Sequence, residues 1–322
     1  MLAPAVRWDA HFYIFLSRHG YPESPPDGRP VYAVAFFPAY PVAINLATRL
    51  MGDSFIAAML VSNVCAAAAT CFLFLLVRRR STSTLALKTV ILWLASPGSH
   101  FLSLPYAEGL FCCALFGSFL LLALNRIWLA AFAGAVASGT RSAGVVVAMA
   151  LLLMAVSEAR RAPRCQWARI AWRYSLATAV SLTGLVAFAL YCQRRYHDVL
   201  AFAHIQSHYN RALSLLGPLK ALWSFSVDPD YYVVTIVAIG LCVWAVRRPL
   251  PAVEKLAASF LVVLPLMTGT LKAMIRYQSA NGFIHAFAAR LLRGRKFTAI
   301  TATSLAMMAM EAFLYSRGNA HY

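Results

Sequence analysis

Apolar runs recur along the whole chain, and within each run hydrophobic residues follow one another instead of alternating with polar ones. These runs predict helices at 56–77, 85–96, 107–124, 128–140, 143–156, 175–192, 231–246, 256–268, 282–292 and 297–315. Helices that are apolar on every side are membrane spans, so about ten of them predict an all-α, polytopic integral membrane protein. Several runs are shorter than the ~20 residues of a perpendicular crossing. Of these, 85–96 and 282–292 are expected to be broken or re-entrant, with their free backbone groups lined by protein or water. Residues 1–322 are expected to form one transmembrane domain.

The polar positions between the runs divide by sign. Seventeen of the 29 Lys and Arg fall in one alternate set of connections: Arg78 to Arg80 with Lys88, Arg126, five between Arg160 and Arg173, Arg247, Arg248 and Lys255, and four between Arg290 and Lys296. Only Glu158 and Glu254 accompany them. The opposite set carries Asp9, Glu23, Asp27, Asp53, Glu108, Asp198, Asp228 and Asp230. Cytoplasmic connections retain Lys and Arg, so the basic set is expected inside and the acidic set on the periplasmic or lumenal side. The two long segments 1–55 and 193–230 then face outward, rich in Trp, Tyr, His and Pro, and are expected to form the active-site side.

Composition narrows the function classes. With 61% apolar and 12% charged residues, the chain has too little polar surface for a soluble fold of this length. Its net charge of +18 would suit a nucleic-acid binder if the cations shared one surface. They are spread between spans, so the expected partner is the lipid bilayer and no nucleic acid. The seven cysteines lie mostly in or beside apolar runs with no ligand-spaced pair, and read as core residues, neither a disulfide framework nor a metal site. Abundant Ala and a preference for Arg over Lys fit a GC-rich bacterial gene. The bacterial inner membrane is therefore the expected location, with the endoplasmic reticulum as the alternative.

Candidate chemistry gathers on the outward side. Before the first predicted span stands Arg7-Trp8-Asp9-Ala10-His11-Phe12, a charged and aromatic cluster in an otherwise hydrocarbon-rich chain. Six of the eight histidines, His11, His19, His100, His197, His204 and His208, share that side. None shows the paired helical spacing around a Glu that a zinc site uses. His204 and His208, four apart, read either as ligands or as interfacial hydrogen-bonding groups.

In order along the chain come Arg18-His19-Gly20-Tyr21, Ala35-Phe36-Phe37-Pro38-Ala39-Tyr40-Pro41, Ser96-Pro97-Gly98-Ser99-His100-Phe101 leading to Pro105-Tyr106-Ala107-Glu108-Gly109, Thr140-Arg141-Ser142-Ala143-Gly144, Asp198-Val199-Leu200-Ala201-Phe202 with Gln206, and Arg276-Tyr277. This ordered set, with the Trp8-Asp9 loop, resembles the PIG-V mannosyltransferases, which are the second mannosyltransferases of GPI-anchor synthesis and their bacterial relatives within the polytopic GT-C glycosyltransferases. The resemblance implies a GT-C-like fold and transfer of a hexose, mannose above all, from a polyprenyl-phosphate sugar to a hydroxyl of a glycan or glycolipid acceptor. Transfer would occur at the outer face with inversion. No cofactor or metal is implied, because the lipid-phosphate sugar is a co-substrate.

The resemblance places the general base at Asp9, and the residue type suits the task, since an acceptor hydroxyl needs a carboxylate to take its proton. A helix cap or an ion pair with Arg7 is the other reading of Asp9. Glu108, at the mouth of a span, is either a second catalytic acid or a partner for Arg141. Arg276 is the first candidate for the lipid phosphate, against ordinary snorkelling at the boundary. Arg141 either contacts phosphate or sugar or neutralises Glu108. Arg7, Trp8, His11, Tyr106, His204, Gln206 and Tyr277 complete the candidate substrate-binding set. The stretch 196–209 mixes aromatic faces with hydrogen-bonding groups, as a sugar site does and as an interfacial amphipathic helix does.

Two departures from the family pattern stand out. Relatives carry a transmembrane helix ahead of the Trp-Asp loop, whereas here the loop opens at residue 4, so either the N-terminus lies outside without a preceding span or a first helix is missing upstream. Where the family carries Pro after the Arg-Tyr pair, this chain reads Gln278-Ser279-Ala280-Asn281-Gly282, with Gly282 as the candidate break. The alternative functions are a lipid-linked sugar transporter or flippase and a catalytically inactive, N-terminally truncated relative.

Overall fold

The computed structural model describes residues 7–23, 31–209, 211–224 and 227–318. Asp27 and the opening of the N-terminal segment lie outside the described residues. Every regular element described is a helix: α1 Asp9–His19, α2 Ala39–Met51, α3 Ser54–Arg78, α4 Ser83–Leu94, α5 Glu108–Ala123, α6 Ile127–Thr140, α7 Val146–Ala159, α8 Trp167–Tyr196, α9 Ala201–His204, α10 Gly217–Trp223, α11 Pro229–Val246, α12 Ala252–Leu266, α13 Met274–Ser279, α14 Gly282–Leu291 and α15 Gly294–Arg317. Short 3-10 turns join some of them, notably Pro97–Leu102 and Ser142–Val145.

Among the described residues, five segments are long and apolar enough to cross a membrane: Ser54–Arg78, Ser142–Ala159, Arg164–Tyr196, Pro229–Val246 and Gly294–Arg317. All ten expected spans overlap a helix. Within the expected outer segment 1–55, the described residues include two helices, α1 and α2, instead of open loop alone. Polar groups such as Ser17, Arg18, Asn45 and Arg49 keep both below span hydropathy, but Tyr40 and Ile44 are buried on one face of α2 while Val42, Leu46 and Leu50 are exposed. Helix α8 runs beyond 175–192 at both ends, because Arg169, Arg173, Arg194 and Arg195 favour a helix even though they would be costly in a lipid span.

Local chemistry sets the boundaries. Gly52 takes a left-handed conformation after α2, and Asp53 then caps α3, accepting from the backbone N–H of Phe55 at 2.8 Å and of Ile56 at 2.9 Å. Thr82 caps α4 through the N–H of Leu85 at 3.2 Å. Helices α3, α5, α6 and α8 pack side by side in that order, α14 lies along α4, and α12 against α7. The α6–α8 crossing depends on Gly184: a Cβ there would sit 2.1 Å from the Ala135 carbonyl oxygen.

The chain order gives the bundle two distinct ends. The basic connections close α3 to α4, α5 to α6, α7 to α8, α11 to α12 and α14 to α15. The opposite end gathers the starts of α1 and α5, the exits of α6 and α12, the short helix α13 and the last turn of α15.

Candidate active site

Two carboxylates begin helices at this end: Asp9 opens α1 and Glu108 opens α5. An anion is favoured at a helix N-terminus, where backbone N–H groups lack internal partners. Arg141 follows the last residue of α6, the complementary place for a cation. Arg276 sits in α13, a helix of six residues isolated by Pro265 near the end of α12 and by the left-handed Ala273 at φ 65°.

These four side chains form one continuous ion-pair chain. Nη1 of Arg276 donates to Oδ2 of Asp9, and Nε of the same guanidinium donates to Oε1 of Glu108 at 2.5 Å. Nη1 of Arg141 donates to that same Oε1. Exposure rises from the middle of this chain to its two ends: the side chains of Glu108 and Arg276 are 0% and 7% accessible, those of Arg141 and Asp9 17% and 30%. Rings sandwich the cations, with the Arg276 guanidinium carbon 4.6 Å from the Tyr106 ring centre and that of Arg141 5.0 Å from the Tyr277 ring centre.

The surrounding chain fixes this array. Trp8, immediately before Asp9, takes φ 53° and ψ −124°, a costly backbone for a residue with a Cβ. Its strain is held by the Arg7 carbonyl, which accepts from the hydroxyls of Tyr106 at 3.1 Å and Tyr315 at 3.3 Å. On the other side, α13 is tied down by the Trp93 indole N–H donating to the Ser279 carbonyl at 2.6 Å, and by the Gln278 and Asn281 amides donating to carbonyls of α12. These amides hold the break after Arg276-Tyr277. Gly282 has another task there, since its Cβ would meet the Phe116 ring at 2.6 Å.

Gly98 brings the 97–102 turn onto α13, where a Cβ would lie 2.4 Å from the Ile275 carbonyl oxygen. Gly98→Ala is expected to push α13 away, at about 1–3 kcal/mol of stability, and to lower activity by more than that loss of folded protein explains. Melting in detergent compared with turnover per folded molecule checks this; unchanged turnover would mean that Arg276 is not placed through this contact. His100, in the same turn, has its Nδ1 3.0 Å from the Pro97 carbonyl, and burial pushes its pKa down to about 4. The imidazole is therefore neutral at physiological pH and adds no charge beside Arg276.

A cavity of about 430 Å³ opens onto the array. Asp9, Arg141, Gln206, Arg276 and Tyr277 line it, together with Tyr13, Phe36, Phe37, Phe111, Phe202, Tyr209, Arg211, Leu261 and Pro265 among others. Residues from both 1–55 and 193–230 contribute to its wall. Glu108 and Tyr106 lie behind the wall, packed against Arg276. Arg7 contributes its backbone carbonyl to the tyrosine clamp, while Trp8 and His11 are exposed. His204 is also exposed, and its Nδ1 lies 2.8 Å from Asp198 Oδ2. These positions separate Trp8, His11 and His204 from the cavity wall. Sequence reasoning passed over Arg211, whose one signal was its place just after the aromatic stretch 196–209, and over Tyr315, which lies more than 300 residues from the carbonyl it holds. Among the described residues no group of three His, Cys, Asp or Glu is placed to hold a metal ion.

The sequence model of the family described as Mannosyltransferase (PIG-V) matches residues 1–162. GPI alpha-1,6-mannosyltransferase 2 of Mus musculus is 28% identical over 159 residues, and that of Rattus norvegicus 31% identical over 159 residues. These matches cover 45% of this chain and 30% of each relative, so the matched region spans less than a third of the curated proteins. Among solved structures, the archaeal oligosaccharyltransferase AglB from Archaeoglobus fulgidus, in complex with an inhibitory peptide and a dolichol-phosphate, superposes with a TM-score of 0.51 at 13% identity. That superposition covers 97% of this chain and 52% of AglB, and shows a shared GT-C fold. With the family match extending over half of its length and the helical fold agreeing, the chain belongs to the PIG-V mannosyltransferase family.

Proposed function

We propose that this protein is a membrane glycosyltransferase that moves a hexose, mannose in the first instance, from a polyprenyl-phosphate donor to a hydroxyl of a glycan or glycolipid acceptor. The observation that carries this reading is the shared cavity: one carboxylate, Asp9, and the arginines 141, 211 and 276 face the same space, walled by aromatic and aliphatic side chains. A sugar, a phosphate and the first part of a prenyl chain need these three surfaces.

In the proposed reaction, the Asp9 carboxylate takes the proton as the acceptor O–H bond breaks. The acceptor oxygen forms a bond to the anomeric carbon from the face opposite the phosphate. The anomeric C–O bond to the phosphate breaks, its electron pair leaves on the polyprenyl phosphate, and the configuration inverts. Oδ2 of Asp9 is held by Arg276, while Oδ1 makes no hydrogen bond among the described residues. Glu108 is a positioning residue, since its bonded oxygen is shared by both guanidiniums and the residue is off the cavity wall.

The site lies at the helix ends opposite the basic connections, which supports a periplasmic or lumenal reaction by the rule that retains Lys and Arg in the cytoplasm. We place the protein in the bacterial inner membrane on its composition, with the chain acting as one transmembrane domain.

The test is transfer in proteoliposomes. The purified protein is expected to move labelled mannose from polyprenyl-phosphate mannose to a glycolipid acceptor, with the product anomer, read by NMR, opposite to that of the donor. Transfer from a nucleotide-activated sugar alone, or retention of configuration, would remove this reading.

A further inference from the structure

The ion-pair chain at the site is electrically balanced: Asp9 and Glu108 against Arg141 and Arg276. Neutral His100 leaves that balance unchanged. One more cation stands on the cavity wall. Arg211 makes no ion pair among the described residues, so with Glu108 counted behind the wall it leaves the site a net charge of one positive unit. Its Nε is buried and has no hydrogen-bond partner, although a guanidinium N–H removed from water costs free energy until it finds an acceptor.

Arg211 is also held in place. Its Nη1 donates to the Tyr277 hydroxyl at 3.0 Å, and its backbone N–H donates to the Gln206 carbonyl at 2.9 Å. The Tyr277 ring lies against two guanidiniums, with Arg141 at 5.0 Å and Arg211 at 6.0 Å from its centre. A fixed fork with an idle N–H, one uncompensated charge and apolar residues lining the same cavity (Leu213, Pro265) are the features of a site for a singly charged lipid phosphate.

We infer that Arg211, keyed onto Tyr277, is the residue that binds the donor's phosphate, while Arg141 and Arg276 serve first to hold the two carboxylates. This rests on the glycosyltransferase reading for the word donor, but the anion site itself does not require turnover. It also predicts selectivity: one uncompensated cation matches the single charge of a phosphodiester better than a diphosphate-linked lipid.

The experiment measures equilibrium binding of a short-chain polyprenyl phosphate to the intact detergent-solubilised protein, with inorganic phosphate in a parallel arm. Arg211→Ala is expected to weaken lipid-phosphate binding roughly 10–100-fold, the worth of hydrogen bonds to a charged group. Arg211→Lys, which keeps the charge but loses the fork, should fall between the two. Arg195→Ala, which breaks an ion pair with Glu23 on the same side of the protein, should bind like wild type. Melting of each variant identifies any that fails to fold, and Arg211→Lys then carries the comparison. In turnover assays the Arg211 variants should raise the donor KM and leave the acceptor KM in place. Unchanged binding by Arg211→Ala overturns the inference even where wild-type transfer succeeds, and so does equally tight binding of inorganic phosphate, which would make this a lipid-independent anion site. Arg211-dependent binding without any wild-type transfer would uphold the anion site and overturn the enzymatic reading instead.

Discussion

Replacing Asp9 with Asn is expected to lower transfer from polyprenyl-phosphate mannose by about 10²–10⁴-fold, the usual contribution of a positioned general base. The amide is nearly isosteric, so the first turn of α1, the Tyr13 packing and the Tyr106–Tyr315 clamp on the Arg7 carbonyl should survive. Arg276 would lose one charged partner but keep Glu108 at 2.5 Å. Stability should therefore change much less than rate, and the variant should insert at normal abundance. Donor binding, which the net positive wall favours, should hold or tighten because one negative charge has gone. The checks are labelled transfer per inserted molecule, melting, and binding of polyprenyl phosphate. Full activity of Asp9→Asn would exclude the carboxylate as the base, and loss of binding together with rate would make it a substrate contact.

How far such a site is legible in sequence depends on what each residue announces. Uninterrupted apolar runs announced ten helices, because lipid-facing helices need hydrophobicity on every side, and the alternation of basic connections announced which helix ends lie together. Asp9, Glu108, Arg141 and Arg276 were visible because charge is scarce in this chain and each sits at a run boundary. Their roles relative to one another were only partly visible: sequence left Glu108 either a catalytic acid or a partner for Arg141, and geometry shows both Arg141 and Arg276 converging on one of its oxygens. Helices α1 and α2 were hidden by polar residues such as Arg18, Asn45 and Arg49, which break up their apolar runs. Tyr315 and Arg211 were hidden for different reasons. The first acts across the whole length of the chain on a backbone carbonyl, and the second lies in a polar stretch where its neighbours Tyr196 to Tyr209 carry the stronger pattern.

The convergence on Glu108 predicts the largest loss of stability in the molecule. Glu108→Gln would leave two guanidiniums facing one neutral amide oxygen in a place where the side chain is fully inaccessible. Removing one member of a buried ion pair costs about 3–5 kcal/mol, because the remaining charge has neither water nor a counter-ion. Here the loss falls on two cations at once, and only Arg276 retains another carboxylate, Asp9. Glu108→Gln should thus melt well below wild type, and whatever protein remains folded should show a disordered Arg141 and poor turnover. Glu108→Asp keeps the charge on a shorter arm and should recover part of both properties. Asp9→Asn and Glu108→Gln then separate cleanly: the first loses rate and keeps its melting temperature, the second loses melting temperature first. A Glu108→Gln protein that melts like wild type and fails only in the chemical step, with a shifted pH–rate profile, would transfer the role of base from Asp9 to Glu108.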